Sequence, residues 1–152
     1  MKKLLSLGVT MLAVVILLTG CGSNNLSMSA KEVIDAVYKD VNIEFPIGET
    51  MEIDQESMAY HLGVDTLKVE EAYVSDAMMS SQAHSVAVVK LKAGEDVAAA
   101  KKAIEENANP RKWLCVEAEE VIVENIGNTI ILIMTDKDYA PKLQENFKNL
   151  SK

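Results

Sequence analysis

Apolar residues recur along the chain at two spacings, and those spacings divide it into helices and strands. Ala30, Val33, Ile34, Val37, Tyr38 and Val41 fall on one face of a 3.6-residue helix. Ser29 precedes them and Glu32 stands three residues later, a capping box in which each side chain satisfies the other's free amide. Together they predict a helix over residues 30–41. Pro46 and Gly48 break the chain, and Asp54 is placed to cap a short helix through Met58 and His61 that Gly63 ends. Residues 64–79 contain a strand, with Leu67, Val69, Tyr73 and Val74 as its apolar positions, and Ser80-Ser81-Gln82 makes a turn. Residues 84–92 predict a second strand, rich in β-branched Val86, Val88 and Val89. Its unbroken apolar run places it centrally in the sheet or covered on both sides.

Glu95 and Asp96 put acids at the positive end of a third helix, whose stripe is Val97, Ala100, Ile104 and Ala108 and which Pro110 stops. Residues 120–126 and 129–135 are two strands joined by Gly127-Asn128, a two-residue link that tolerates positive φ and signals a hairpin. A last helix begins near Asp138, accepts Pro141 in its first turn and carries Tyr139, Leu143, Phe147 and Leu150 as its stripe. Adjacent strand pairs separated by helices predict an α+β fold: one small domain, an antiparallel sheet of about four strands, and helices packed against it.

The first twenty residues follow neither spacing. Lys2 and Lys3 lead into an apolar run over residues 4–18. Such a run spans roughly 22 Å as a helix, short of the ~30 Å hydrocarbon core of a bilayer. A basic start with a short apolar run reads as a secretory signal peptide. The run ends in Leu18-Thr19-Gly20-Cys21, which resembles the lipobox of bacterial lipoproteins: an apolar residue, two small ones and a cysteine. The resemblance implies cleavage between Gly20 and Cys21, a diacylglyceryl group on the Cys21 sulfur and a further acyl chain, such as palmitate, on its amine. The expected organisation is a signal peptide over residues 1–20, a lipidated cysteine and flexible tether over 21–28, and a domain over 29–152. Eight steps from Cys21 to Ser29 extend at most about 28 Å, so the domain is expected at the extracytoplasmic face of the cell membrane, held there through its lipid anchor.

Composition narrows the classes. The 152 residues are 49% hydrophobic and 25% charged with a net charge of −8, the profile of a globular protein. The acidic balance argues against nucleic acid, whose binding needs a basic face. Removing residues 1–20 leaves 132, takes two lysines and no acid, and moves the charge to −10. A chain of that size can bury roughly two-thirds of its unfolded surface.

The candidate chemistry is sparse. His61 and His84 are the two histidines and stand in no metal-ligand spacing, so no metal is expected. Glu117, Glu119, Glu120 and Glu124 read as a solvated strand edge and loop. Asp76, Ser80, Ser81 and His84 flank a turn and lack any nucleophile motif. Cys115, between Leu114 and Val116, reads as a buried apolar thiol. Arg111-Lys112-Trp113 is the one basic-aromatic cluster, a polar connection with Trp113 folded onto the core. The methionines, including Met78 and Met79, read as core or groove lining. Arg111, Lys112, Trp113, Met78 and Met79 are the candidate partner surface.

The mature chain also resembles a family of small lipoproteins of Gram-positive, clostridial-type bacteria that carry a domain of unknown function numbered 4358. The resemblance runs over about residues 31–148. It rests on Leu62-Gly63-Val64-Asp65, on Ala83 followed by the run Val86-Ala87-Val88-Val89-Lys90-Leu91-Lys92, on Glu95-Asp96-Val97, and on Val123-Glu124-Asn125-Ile126-Gly127-Asn128. Leu62, Ser85 and Thr129 depart from the family pattern, which argues against a shared site built on those side chains. The resemblance implies fold and location, and supplies no catalytic residues and no cofactor. The expected function is a non-enzymatic, membrane-anchored binding module for a protein or peptide of the cell envelope. The alternatives are a small cell-surface hydrolase or thiol-dependent enzyme, which needs His61 or His84 to reach Cys115 or a serine, and an accessory solute-binding lipoprotein, which needs a deep pocket.

Overall fold

The computed structural model describes residues 24–152. The expected signal peptide, its cleavage point and the lipobox at residues 18–21 lie outside the described residues.

The chain runs α1 (Ala30–Val37), β1 (Met51–Glu52), α2 (Met58–Leu62), β2 (Val69–Asp76), β3 (Ser85–Leu91), α3 (Val97–Asn107), β4 (Glu120–Ile126), β5 (Thr129–Thr135) and α4 (Ala140–Asn149). The strands form one sheet in the order β1-β2-β3-β5-β4, every neighbouring pair antiparallel. The fold is therefore α+β, with five strands where the sequence pattern suggests about four. The additional strand, β1, is two residues long and exposed on both, so it carries no alternation to read. β3 lies at the centre of the sheet with both faces buried, as its continuous apolar run predicts.

Side chains alternate across the sheet and feed two cores. On one face Ala72, Val74, Ala87, Val89, Leu91, Leu132 and Met134 meet Met58 and Leu62 of α2 and Ala100 and Ile104 of α3. On the other, Val86, Val88, Ile131 and Ile133 meet Val33, Ile34 and Val37 of α1 and Leu143 and Phe147 of α4. The sheet is thus the middle of three layers.

Local chemistry sets the element ends. The capping box forms: Ser29 Oγ accepts from the Glu32 amide at 3.2 Å, and the Ser29 amide donates to Glu32 Oε2 at 2.8 Å. α1 stops at Val37, four residues before the predicted end, because Tyr38 caps it and Asp40 takes a left-handed φ of 59°. Asp54 does not cap α2 directly. Its carboxylate accepts from the Ser57 amide at 2.8 Å and closes a turn, after which Ser57 is the cap residue. Gly63 ends α2 with φ 76°, and Asp96 caps α3 through the Ala99 amide at 3.0 Å. α4 starts at Ala140, two residues after the predicted start, with Pro141 in its first turn.

Candidate functional site

Polar side chains collect at one end of the sheet, where β2 finishes and β3 begins. Asp76 and Ser85 are register partners there, and the pleat points both toward the α2/α3 face. Into that corner comes Lys112, from the irregular segment between α3 and β4. Its ammonium donates to Asp76 Oδ1 at 3.1 Å and to Ser85 Oγ at 3.0 Å. It also lies 5.1 Å from the Tyr60 ring centroid and 5.2 Å from that of Trp113. Only 1% of the Lys112 side chain meets solvent. Burial pushes its pKa below the usual lysine value, and the Asp76 carboxylate opposes that shift. The close carboxylate favours the charged form, so the pair reads as an ion pair with a serine as its third member.

His61 of α2 stands beside the same carboxylate, Nδ1 to Asp76 Oδ2 at 3.6 Å, too far for a hydrogen bond. Burial and the Lys112 charge lower its pKa, against the pull of Asp76 and Asp54. Its Nδ1 is buried without a hydrogen-bond partner among the described residues.

A second cluster sits at the same end on the opposite face. His84 immediately precedes β3 and is fully buried. Its Nε2 bonds the Tyr38 hydroxyl at 2.8 Å and its Nδ1 bonds Thr135 Oγ1 at 2.7 Å. Phe45 packs edge-on at 5.4 Å between ring centroids. Burial pushes the His84 pKa down to about 4, with Lys112 adding to the shift and Asp76 opposing it. Burial likewise raises the Tyr38 hydroxyl well above the ordinary tyrosine range. A neutral imidazole with one donor and one acceptor matches two hydroxyls that can each take either part.

The surface of this end is mixed. Met78 and Met79, in the turn after β2, are 70% and 46% exposed, and Leu114 is 89% exposed. At the same end a cleft of about 430 Å³ is lined by Gln82, Glu117, Glu119, Asp136, Lys137 and Asp138 among others, with Glu119 paired to Lys137 and Glu117 to Arg111. Burial, Glu119 and Asp138 raise the Asp136 carboxyl above its ordinary value.

The structure redistributes the residues singled out from the sequence. Met78 and Met79 are solvent-facing, where the sequence reading put them in a core or groove, because the β2–β3 connection projects past the sheet end. Cys115 is exposed, where burial was expected. The segment around it forms no strand that would turn its side chain inward. Trp113 packs partly onto the core as predicted, and Arg111 is exposed and paired with Glu117 at 3.4 Å. Lys112 does not reach the surface. Ser85 and Thr135 carried no sequence signal as polar partners, since Ser85 opens an apolar strand and Thr135 closes one. Asp76 and His84 lie close in sequence around the turn, and the fold places them on opposite faces.

Among the described residues no group of three or more His, Cys, Asp or Glu is placed to hold a metal ion. No helix among them is long and apolar enough to cross a membrane.

The order of elements, with Gly63 ending α2 and Gly127-Asn128 turning the β4–β5 hairpin, agrees with a family comparison. Residues 44–135 match the model of a domain of unknown function, DUF4358. The chain belongs to the DUF4358 family. The match takes in β1 to β5 with α2 and α3, so Asp76, Ser85, His61, His84, Lys112 and Thr135 lie within the family domain, while α1 and α4 flank it. No curated protein and no solved structure matches the chain at significant similarity.

Proposed function

We propose that this DUF4358 protein is a lipoprotein, anchored through Cys21 at the extracytoplasmic face of the cell membrane, and that its domain binds a peptide or protein of the cell envelope without catalysing a reaction. The anchor rests on residues 1–21: a basic start, a short apolar run and a lipobox-like Leu18-Thr19-Gly20-Cys21. The resemblance to small lipoproteins of Gram-positive, clostridial-type bacteria points the same way.

The binding reading is carried by one observation: Met78, Met79 and Leu114 stand exposed at the end of the sheet that also carries a cleft with more acids than bases and the Lys112–Asp76 ion pair. Flexible, polarizable methionine side chains suit a peptide surface. The acids of the cleft and the strongly acidic domain favour a partner with cationic and apolar groups.

A second reading, a small hydrolase, draws on the 3.0 Å contact between Lys112 Nζ and Ser85 Oγ. A serine needs an unprotonated base beside it and a substrate within reach. Here the lysine is held charged by Asp76 and the serine is fully buried, so binding is the better-supported function.

Two measurements test the proposal. Growth with an alkynyl fatty acid should label the wild type, and Cys21→Ala should lose the label; an unlabelled wild type overturns the anchor. A photo-crosslinking residue placed at Met78 in living cells should give one defined protein adduct. If the same adducts form in the same yield from exposed Ala98 of α3, the binding surface is not at Met78.

A further inference from the structure

The first described residues are held against the domain. Asn25 Oδ1 accepts a hydrogen bond from the Asn128 amide at 3.0 Å, in the turn between β4 and β5. A Cβ on Gly127 would lie 2.3 Å from Asn25 Oδ1 and 2.8 Å from the Asn24 carbonyl oxygen, so residues 24–25 lie directly on that turn. Leu26 and Met28 pack against the core that α1 and α4 cover, and Lys90 Nζ donates to the Met28 carbonyl at 3.0 Å. Most of the expected tether is therefore part of the folded domain. From Cys21 to Asn24 only three steps remain, a reach of at most about 11 Å.

The chain leaves the domain at a defined end. The register sets Gly127 and Asn128 beside Leu91, and the Leu91 amide donates to the Asn128 carbonyl at 3.0 Å. Lys92, Ala93 and Gly94 follow there, lining one cavity with Asn25, Gly127 and Asn128. Asp76, Ser85, Met78, Met79 and the segment carrying Lys112 and Cys115 occupy the other end. Strands of seven residues separate the two ends by about 20 Å or slightly more.

We propose that the membrane surface is the partner of the Gly127 end: the turns at residues 92–94 and 127–128 face the lipid, and the end carrying Met78, Met79 and Lys112 faces away. This rests on the reading of Cys21 as the lipid-bearing residue. A reach of about 11 Å is roughly half the strand length, so the domain cannot invert on its anchor. Chain geometry sets the orientation and charge does not, since the acidic domain is repelled by anionic lipid.

The test uses the full lipoprotein, purified from membranes, confirmed as acylated by mass and reconstituted into vesicles of phosphatidylglycerol and phosphatidylcholine. With the Cys21 sulfur acylated, exposed Cys115 is the free thiol that takes a fluorescent donor. A second protein carries the donor at Ala93→Cys with Cys115→Ser. Energy transfer to an acceptor lipid should be about twofold or more stronger from residue 93 than from residue 115, given ends about 20 Å apart. Equal or reversed transfer overturns the orientation. Inserting about twelve Gly and Ser residues between Ser23 and Asn24 adds a reach of ~40 Å and should bring the two signals together. An undiminished difference removes the short tether as its cause. Protein that carries no acyl mass or leaves the vesicles overturns the lipoprotein reading, and the orientation with it. Retained protein with reversed transfer overturns the orientation alone.

Discussion

Lys112 keeps its charge in a place where an unpaired ammonium would be costly, and Asp76 is the reason. Removing one partner strands the other. Because Asp76 retains 20% side-chain exposure, the loss is discounted from the fully buried case. Lys112→Met should destabilise the domain by about 2–3 kcal/mol. The double variant Lys112→Met with Asp76→Leu should recover most of that loss, because no charge is left unpaired. Urea denaturation of the four proteins of this cycle decides it, and additive losses would mean that the pair is not coupled.

His84 gives a pH dependence of definite sign. Its pKa is about 4 folded and about 6.5 unfolded. Between those values the unfolded chain binds a proton that the native state excludes. Stability from this residue is therefore full above about pH 6.5, falls as pH drops toward 4 and changes no further below that. The depressed pKa corresponds to about 3 kcal/mol across the window. Tyr38, Phe45, Thr135 and Tyr139 surround the ring or its neighbours, with Asp76 and Lys112 the charges that reach it. Unfolding free energies of wild type and His84→Gln, measured from pH 4 to 7, should differ in slope within that window. His61, also lowered, contributes with the same sign in both proteins and cancels from the comparison. None of these partnerships was legible in the sequence. Lys112, between Arg111 and Trp113, reads as a surface cation because its burial depends on Asp76 and Ser85, which come from two strands elsewhere in the chain.

At the scale of elements, Gly63 joins two helices. Its φ of 76° suits glycine, and a Cβ there would lie 2.0 Å from the Asn107 carbonyl at the end of α3. Gly94 has φ 88° but nothing within 4 Å of the same position. Gly94→Ala should therefore lose only the backbone preference, about 1 kcal/mol. Gly63→Ala adds a steric overlap with backbone, and should lose about 1–3 kcal/mol more as α2 and α3 move apart. Thermal melts of the two variants separate the effects, and equal losses would show that the helix ends adapt. Elements with a local signal were readable: the β4–β5 hairpin follows from Gly127-Asn128 between apolar runs, and α1 begins where its capping box says. β1 was not, since two exposed residues become a strand only through β2. The end of α1 was not either, since Val41 continues the apolar spacing and only the fold shows the chain turning at Asp40.

For the whole molecule, the proposed anchor and the charge act against each other. Residues 21–152 carry −10, and anionic lipid repels them over a Debye length of about 8 Å at physiological salt. A peripheral protein held by charge leaves a membrane as salt rises. A domain held by acyl chains against repulsion has no attraction to screen, and added salt relieves only the repulsion. Washing isolated membranes with about 1 M salt, where the Debye length is near 3 Å, should leave the wild type in the pellet, while mild detergent should release it. A form that begins at Gly22 behind an ordinary cleavable signal peptide should stay soluble at every ionic strength, since without the acyl chains and without the apolar run of residues 4–18 only repulsion remains. Release of the wild type by salt would mean that a basic surface holds it, and that the short lipid tether does not set which end of the sheet meets the membrane.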